Sequence, residues 1–98
     1  MVEGIMQKIK IVHFLNQFFA GVGGEDKAYS SPEIRKGAVG PGIALEQKFQ
    51  ENARVVGTVL CGDNYFAENP EQSVQEVLEL IQEFEPNVVV AGPAFGSG

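Results

Sequence analysis

The chain alternates short apolar runs with segments of helical character, an order that few folds accommodate. The apolar runs are Ile9–Leu15, Ala53–Cys61 and Val88–Ala91, and they are rich in β-branched residues. The first run begins with alternating polarity and then becomes continuously apolar, as expected of a strand that is covered on both faces. We therefore predict that each of these runs is a β-strand.

Two helices are predicted between the strands. The first opens at Pro41, because proline fits the first helical position, where its missing N–H costs nothing. The second opens at Pro70, with Asn69 placed to cap it and Gln72 placed to complete a capping box. Pro86 prevents its continuation. Its apolar residues recur at helical spacing on one face: Val74, Val77, Leu78, Ile81 and Phe84.

The resulting order is β-α-β-α-β, which predicts an α/β fold. Parallel strands joined by helical crossovers form a three-layer-type parallel sheet, one half of a doubly wound fold of the flavodoxin-like or Rossmann-like kind. Such a small sheet leaves an edge and part of a face without cover. We therefore expect either self-association of the chain or a place as the N-terminal part of a longer subunit.

Length and charge exclude several classes of function. The 98 residues fit one domain. A formal net charge of -6 argues against binding to nucleic acid or to anionic lipid, because both require a cationic face. No apolar run approaches the roughly 20 residues that cross a bilayer, and the first residues lack the features of a secretory signal. Cys61 is the single cysteine, so an internal disulfide is excluded. We expect a reduced, cytoplasmic protein.

The candidate site follows from the predicted topology, because ligands of open parallel sheets bind beyond the carboxyl ends of the strands. The predicted substrate-binding residues are those that follow or end the strands: Asn16, Cys61, Asp63, Asn64, Gly92 and Pro93. Asp63 together with Glu68 could bind a cation or a substrate amine. The alternative is that Asp63 and Asn64 satisfy backbone groups in a turn. Cys61 is expected to be buried and unreactive, because no Lys or Arg is near it in the sequence.

No catalytic residue and no metal site can be assigned from residue chemistry alone. His13 is the single histidine and lies within the first strand, where a hydrogen-bonded core residue is the expected role. The string Gly21-Val22-Gly23 begins like a dinucleotide-binding loop, but Asp26 stands where the third glycine belongs. A small flavodoxin-like ligand-binding module and a non-catalytic assembly or dimerisation protein stay open as alternatives.

Longer strings of the chain resemble one protein family. They read IVHFLNQFFAGVGGEDKA at 11–28, GPG at 40–42, VLCGDNYFAENP at 59–70 and AGPAF at 91–95. In this order they are similar to the N-terminal portion of the selenoprotein (gamma) subunit of component B of the glycine, sarcosine and betaine reductases. The resemblance covers the chain from Lys8 onward. We therefore expect residues 1–7 to be an N-terminal extension and residues 8–98 to be a single α/β domain, the N-terminal part of a longer subunit.

This resemblance implies an oxidoreductase that cleaves the C–N bond of an amine such as glycine, sarcosine or betaine in anaerobic amino-acid fermentation. In the family, component B binds the amine, and its selenocysteine attacks the methylene carbon of the substrate. The carboxymethyl group then passes to the selenoprotein of component A, and thioredoxin supplies the reducing equivalents. For substrates that form a Schiff base, the family also implies a pyruvoyl group on a partner subunit of component B.

The chain departs from the family pattern because it contains no selenocysteine, which in the family lies far downstream of the region present here. Cys61 belongs to the Cys-Gly-Asp-Asn string and does not occupy the selenocysteine position. We therefore expect an N-terminal domain or truncated form of the component B subunit, without a cofactor of its own and inactive alone. Its expected partners are the other subunits of component B, the selenoprotein of component A and further copies of itself.

Overall fold

Strands and helices alternate along most of the part of the chain that the structure describes. The computed structural model describes residues 8–17, 19–21, 23–24, 28–49 and 51–92. In chain order its elements are β1 (Ile9–Asn16), β2 (Glu33–Lys36), α1 (Pro41–Lys48), β3 (Ala53–Cys61), α2 (Asp63–Glu68), α3 (Pro70–Glu83) and β4 (Val88–Ala91). The predicted strands correspond to β1, β3 and β4, and the predicted helices correspond to α1 and α3.

The strands form a single mixed sheet in the order β2-β3-β1-β4. β1 lies in the middle and pairs in parallel with β3 on one side and with β4 on the other. This arrangement confirms the predicted α/β fold and its β-α-β-α-β core. β2 was not predicted, and it pairs antiparallel with the outer edge of β3.

Helices cover both faces of this sheet, as the three-layer prediction requires. On one face, Val12 and Val59 form a buried cluster with Val77 and Ile81 of α3. On the other face, a second cluster centred on Val55 packs against α1, and a third lies at the carboxyl end of the same strands. Burial on both faces explains why β1 and β3 are apolar almost throughout.

A register shift between β1 and β3 sets which residues meet at the far end of the strands. Ile11 pairs with Val55, whereas Val12 pairs with Gly57, so one residue of β3 is extra at this point. The backbone N–H of Val55 donates to the Glu46 carboxylate of α1 at 2.8 Å, which fastens the helix to the bulge. Beyond the bulge the pairing is regular to the strand ends.

The beginning of α3 differs from the prediction in one respect. Pro70 occupies the first helical position, as predicted. The Asn69 side chain does not cap the helix, however, and its amide nitrogen donates backwards to the carbonyl of Tyr65 at 3.2 Å. The capping-box prediction is therefore wrong, because α2 ends directly before α3 and the Asn69 amide satisfies a carbonyl of that preceding helix.

The apolar face of α3 is also rotated relative to the prediction. Val77 and Ile81 are buried, and Ser73 joins them on the buried side. Val74 and Leu78 stay about half exposed, although they share the helical spacing of the buried residues. The sequence pattern therefore predicted the helix correctly but not the centre of its packing face.

Candidate functional site

The carboxyl ends of β1, β3 and β4 lie at one rim of the sheet. Asn16 of β1 pairs with Cys61 of β3, and Phe14 of β1 pairs with Ala91 of β4. Chain order runs from the central β1 out to β3 and then back to β4 on the other side, so the direction of winding reverses next to β1. In doubly wound sheets, such a reversal creates the crevice that binds ligands. This rim is the candidate site.

Asn16 and Asp63 are in direct contact at the rim. The buried Asn16 side chain donates from Nδ2 to Oδ2 of Asp63 at 3.3 Å, while its Oδ1 accepts the backbone N–H of Phe19 at 2.9 Å. The backbone N–H of Asp63 donates to Oε1 of Gln17 at 3.0 Å. The first residue of α2 is therefore held by two side chains from the end of β1. Gln17 completes this contact but was not among the predicted site residues.

The Asp63 carboxylate is held by a hydrogen bond at one of its two oxygens. Its Oδ2 accepts from Asn16, and no described residue donates a hydrogen bond to its Oδ1. The side chain is half-buried, so water competes with a ligand less strongly here than at an open surface. A partly shielded carboxylate held by an amide is suited to bind a cationic or N–H-bearing group.

A loop segment ahead of β2 closes the rim on the β2 side. The carbonyl of Ala28 accepts the backbone N–H groups of Asn64 at 2.7 Å and Tyr65 at 3.0 Å, and the carbonyl of Ser30 accepts that of Gly62 at 2.8 Å. A Cβ at position 62 would lie 2.4 Å from the Ala28 carbonyl oxygen, so only glycine fits. We call residues 28–30 the strap, and it fixes the start of α2.

Cys61 is buried beneath this rim. Only 2% of its surface is exposed, and its thiol lies 3.9 Å from the Ser30 carbonyl oxygen. Burial, together with the smaller contributions of the negative charges of Glu76 and Asp63, raises the pKa of the Cys61 thiol to about 11. The thiol therefore stays protonated at neutral pH and is a poor nucleophile, as the sequence predicted.

Gly92 reaches the rim from the end of β4 and is tied to the core by His13. Its backbone N–H donates to the Phe14 carbonyl at 3.0 Å, and its carbonyl lies 2.5 Å from Nε2 of His13. Because a carbonyl only accepts, Nε2 donates the proton of this hydrogen bond. His13 is 2% exposed, and a Cβ at Gly42 of α1 would lie 2.8 Å from its Nδ1. The prediction of a hydrogen-bonded core histidine is confirmed.

Asn64 and Pro93 are the remaining predicted residues. Asn64 is exposed in the first turn of α2, and its backbone N–H is bound by the strap. Pro93 lies outside the described residues. Nearby, the Tyr65 hydroxyl donates to Oε1 of Glu76 at 3.0 Å, and this hydrogen bond raises the pKa of the Tyr65 phenol. Glu76 therefore adds a second carboxylate close to the rim.

The opposite end of the sheet has the opposite charge. Three basic side chains line an open cavity of about 380 Å³ at the amino ends of the strands, where Lys8 and Lys10 meet Arg54. Val56 and Asn87 also line it. Parallel sheets bind ligands at their carboxyl ends, so this cavity is not the default site. It shows that positive charge collects away from Asp63.

Neither a metal-binding cluster nor a membrane-crossing helix is found among the described residues. No cluster of three or more His, Cys, Asp or Glu side chains suited to holding a metal ion occurs among them. In the same part of the chain, no helix combines the length and the apolar character that crossing a membrane requires.

Comparison with known proteins decides the family. A family model described as "Glycine/sarcosine/betaine reductase selenoprotein B" matches residues 8–98. The chain belongs to this family. The resemblance carried by the four sequence strings is thereby confirmed. No solved structure matches the chain.

Curated members of the selenoprotein B family show how much of the protein this chain represents. The "Sarcosine reductase complex component B subunit beta" of Peptoclostridium acidaminophilum is 54% identical over 93 residues, which cover 95% of this chain and 21% of that protein. The "Glycine reductase complex component B subunit gamma" of Carboxydothermus hydrogenoformans has the same identity and coverage. The "Betaine reductase complex component B subunit beta" of P. acidaminophilum is 40% identical over 89 residues, 91% of this chain and 20% of that protein. The chain spans about a fifth of these relatives and matches their N-terminal region.

Proposed function

We propose that the chain acts as the N-terminal domain of a component B subunit and that its rim helps to bind the amine substrate for reductive C–N cleavage. The observation that carries this proposal is the contact between Asn16 and Asp63, which holds a half-buried carboxylate at the carboxyl end of the sheet. The names of the relatives support an amine as the substrate, because they are reductases of glycine, sarcosine and betaine.

Charge complementarity also supports binding of an amine at this rim. Glycine, sarcosine and betaine each carry a positively charged nitrogen at neutral pH. The Oδ1 of Asp63 offers such a nitrogen a partner, and Glu76 lies close enough to add to the negative potential at Cys61. The basic side chains at the other end of the sheet contribute little there, because exposed charges are screened within about 10 Å.

The other predicted residues are proposed as lining of the pocket. Asn16 orients the carboxylate, Asn64 extends the polar edge, and Gly92 brings the end of β4 to the crevice. Pro93 is proposed as a further substrate-binding residue. Cys61 is proposed to contribute a protonated thiol surface, since its raised pKa leaves little thiolate at neutral pH. No catalytic step is derived from these residues, because none of them supplies a reactive nucleophile.

The reactive groups and the partners are proposed to come from elsewhere in the complex. We propose a selenocysteine in the rest of the component B subunit and, for Schiff-base-forming substrates, a pyruvoyl group on a partner subunit. The proposed partners are the other component B subunits, the selenoprotein of component A and further copies of the chain. The names of the relatives, which are components of reductase complexes, support a multi-subunit setting. A cytoplasmic location is part of this proposal.

A chimeric subunit tests the proposed function. In it, residues 8–98 of this chain replace the matched N-terminal region of the Carboxydothermus hydrogenoformans relative, and the product is combined with the other components of that reductase. Asp63→Asn keeps the shape of the side chain and removes its charge. We expect amine binding by the chimeric component B to weaken about 10- to 100-fold, the value of one charged hydrogen bond.

Glu79→Gln is the matched control, because Glu79 is an exposed acid on α3 to which no role in binding is assigned. It should change amine binding less than about twofold, as expected for an exposed, screened charge. Unchanged binding in Asp63→Asn would show that the substrate contacts lie elsewhere. A folded chimera without substrate-dependent turnover, next to an active parent, would contradict the proposed function itself.

A further inference from the structure

The outer edge of β4 is the least covered part of the sheet. β4 pairs with β1 through residues Ile11–Phe14, and no described strand pairs with its other side. Alternate backbone N–H and C=O groups of an edge strand point away from its neighbour and need another partner. The sequence of β4, Val-Val-Val-Ala, supplies no charge or proline that would discourage pairing.

Both faces of β4 are also exposed. Val88 pairs with Ile11 and so lies on the α1 side of the sheet, whereas Val89 pairs with Val12 and lies on the α3 side. They are 44% and 46% exposed, respectively. The helices pack mainly against β3 and, for α3, also against β2. Helical layers therefore cover the β3 half of the sheet more fully than β4, where Val90 is half-buried against the cluster centred on Val55 while Val88 and Val89 stay exposed.

Exposed valines on both faces are unusual for a parallel strand in a complete α/β domain. Parallel sheets are covered on both faces, and continuous Val-rich strands are typical of their interior. β4 has the composition of an interior strand in the position of an edge strand. The free edge also lies on the side where a doubly wound sheet adds its next strand, beyond β4 and away from β3.

We propose that β4 is an interior strand of the complete component B subunit. A parallel strand from the part of the same subunit that lies outside the matched N-terminal fifth pairs with the outer edge of β4. Helices connected to that strand cover Val88 on one face and Val89 on the other. This inference rests on the proposed function, in that the chain is taken as a domain of that longer subunit. The relatives contain about four-fifths of their length outside the matched region, which is ample for such a unit.

Amide hydrogen exchange tests this pairing directly. The outward-facing amides of Val88–Ala91 should exchange rapidly in the 98-residue chain at low concentration. In the chimeric subunit the same amides should be protected about 100-fold or more, because they become part of a ladder in a covered sheet. The unmodified C. hydrogenoformans subunit, measured at the segment aligned with 88–91, gives a second reading that does not depend on the chimera folding.

Two substitutions distinguish the loss of the proposed interface from a general loss of stability. Val89→Lys should shift the Tm of the 98-residue chain by no more than about 2 °C, because the side chain is half exposed there. In the chimeric subunit it should lower the Tm by more than about 5 °C, because the charge would be buried against the new layer. Ile43→Lys, at an equally exposed apolar site on α1, should have a small effect in both proteins.

Each other outcome overturns the inference. Rapid exchange at β4 in an active chimera would contradict the pairing and leave the proposed function intact, since turnover of the chimera is measured separately. Equal effects of Val89→Lys in both proteins would contradict the covering layer. Protection in the 98-residue chain that rises with concentration and disappears in Val89→Lys would identify a second copy as the occupant instead.

Discussion

The two edges of the sheet are built in opposite ways. β2 closes one edge as a short antiparallel strand whose sequence, Glu-Ile-Arg-Lys, is charged at three of four positions. Within it, Arg35 and Glu33 form an exposed ion pair at 2.6 Å. β4 forms the other edge as a parallel strand with no charge at all. Both strands have four residues, so the difference lies in chemistry and direction rather than in length.

The difference distinguishes an edge that meets water from one that meets protein. Charged side chains on an edge strand resist pairing with another chain, because pairing would bury them. An apolar parallel strand gains by being covered, since each Å² of apolar surface removed from water contributes about 25 cal/mol. The sheet therefore ends at β2, whereas the chemistry of β4 favours pairing with a further strand.

The closed edge is also coupled to the candidate site. The strap at residues 28–30 leads into β2 and, on its way, binds the backbone of Gly62 and of the first residues of α2. Closure of the sheet at β2 and orientation of Asp63 thus depend on the same segment. The open edge contributes only Gly92 to the described rim, through its contact with His13.

Gly62→Ala is expected to have the largest effect, because it separates the strap from the rim. The added Cβ would lie 2.4 Å from the Ala28 carbonyl oxygen, a backbone atom that cannot move by a simple side-chain rotation. We expect a loss of about 3 kcal/mol in unfolding free energy, the upper part of the overpacking range, measured by urea denaturation. Gly24→Ala is the control, since its Cβ meets no atom within 4 Å. Similar losses for the two variants would mean that the strap does not hold the closed edge.

Cys61, at the end of β3 between the two edges, is expected to make stability fall in alkali. Its pKa is raised from 9.0 to about 11 by burial first and by Glu76 and Asp63 second, so the folded state holds the thiol proton more tightly than the unfolded state. The resulting stabilisation is complete below pH 9 and is lost as the pH rises towards 11. We expect a loss of about 2 kcal/mol over that window.

Cys61→Ala provides the comparison for this pH effect. The variant starts less stable because it loses buried volume, but its unfolding free energy should fall less steeply between pH 9 and 11. The remaining slope would come from other groups, including Tyr65, whose pKa is also raised. Identical slopes for the parent and the variant would show that the thiol is not protonated more tightly in the folded chain.

Thr58→Val should weaken the attachment of β2 to β3 without affecting β4. Thr58 is fully buried, and its hydroxyl donates to the carbonyl of Gly37, directly after β2, at 2.8 Å. Valine keeps the shape and removes the hydrogen bond, for an expected loss of about 1 kcal/mol. Hydrogen exchange should become faster in β2 and stay unchanged in β4. A uniform change in both strands would indicate that the two edges do not behave independently.

Sequence reasoning succeeded where periodicity carries the signal. β1, β3, β4 and α3 have apolar patterns that only one kind of element satisfies, and parallel topology then places their carboxyl ends together. Those two steps put Asn16, Cys61, Asp63 and Gly92 at the observed rim. The long apolar face of α3 was located within its correct bounds, although tertiary packing rotated its buried side towards Ser73.

The elements that sequence reasoning missed owe their structure to neighbours. Ile34 is the single apolar residue of β2, so no alternating pattern marks this strand, and pairing with the edge of β3 creates it. Residues 62–64 read as a turn, yet they open α2, because the strap and Gln17 satisfy the backbone N–H groups there. Long-range partners of this kind leave no local signal. The same holds for the link between His13 and Gly92, which are 79 residues apart.

Removing the charges of β2 is expected to have the smallest effect on stability and to test the comparison of the edges most directly. Arg35 and Lys36 are exposed, and the ion pair of Arg35 with Glu33 is open to solvent. Replacing both basic residues by valine should therefore change the unfolding free energy by less than about 0.5 kcal/mol. The consequence should appear in association, because β2 would then resemble β4 in chemistry.

Sedimentation velocity over a concentration series measures this consequence. The Arg35→Val and Lys36→Val double variant should associate at lower concentration than the parent, and adding Val89→Lys should not reverse that gain, because the new contact uses the other edge. The Lys48→Val and Arg54→Val double variant, which removes two exposed basic residues away from β2, controls for the change in net charge. If the double variant associates no more than the parent, charge is not what closes β2. The antiparallel direction of β2 and its connection to the strap would then be sufficient to explain why no further strand pairs with β2, whereas one is proposed to pair with β4.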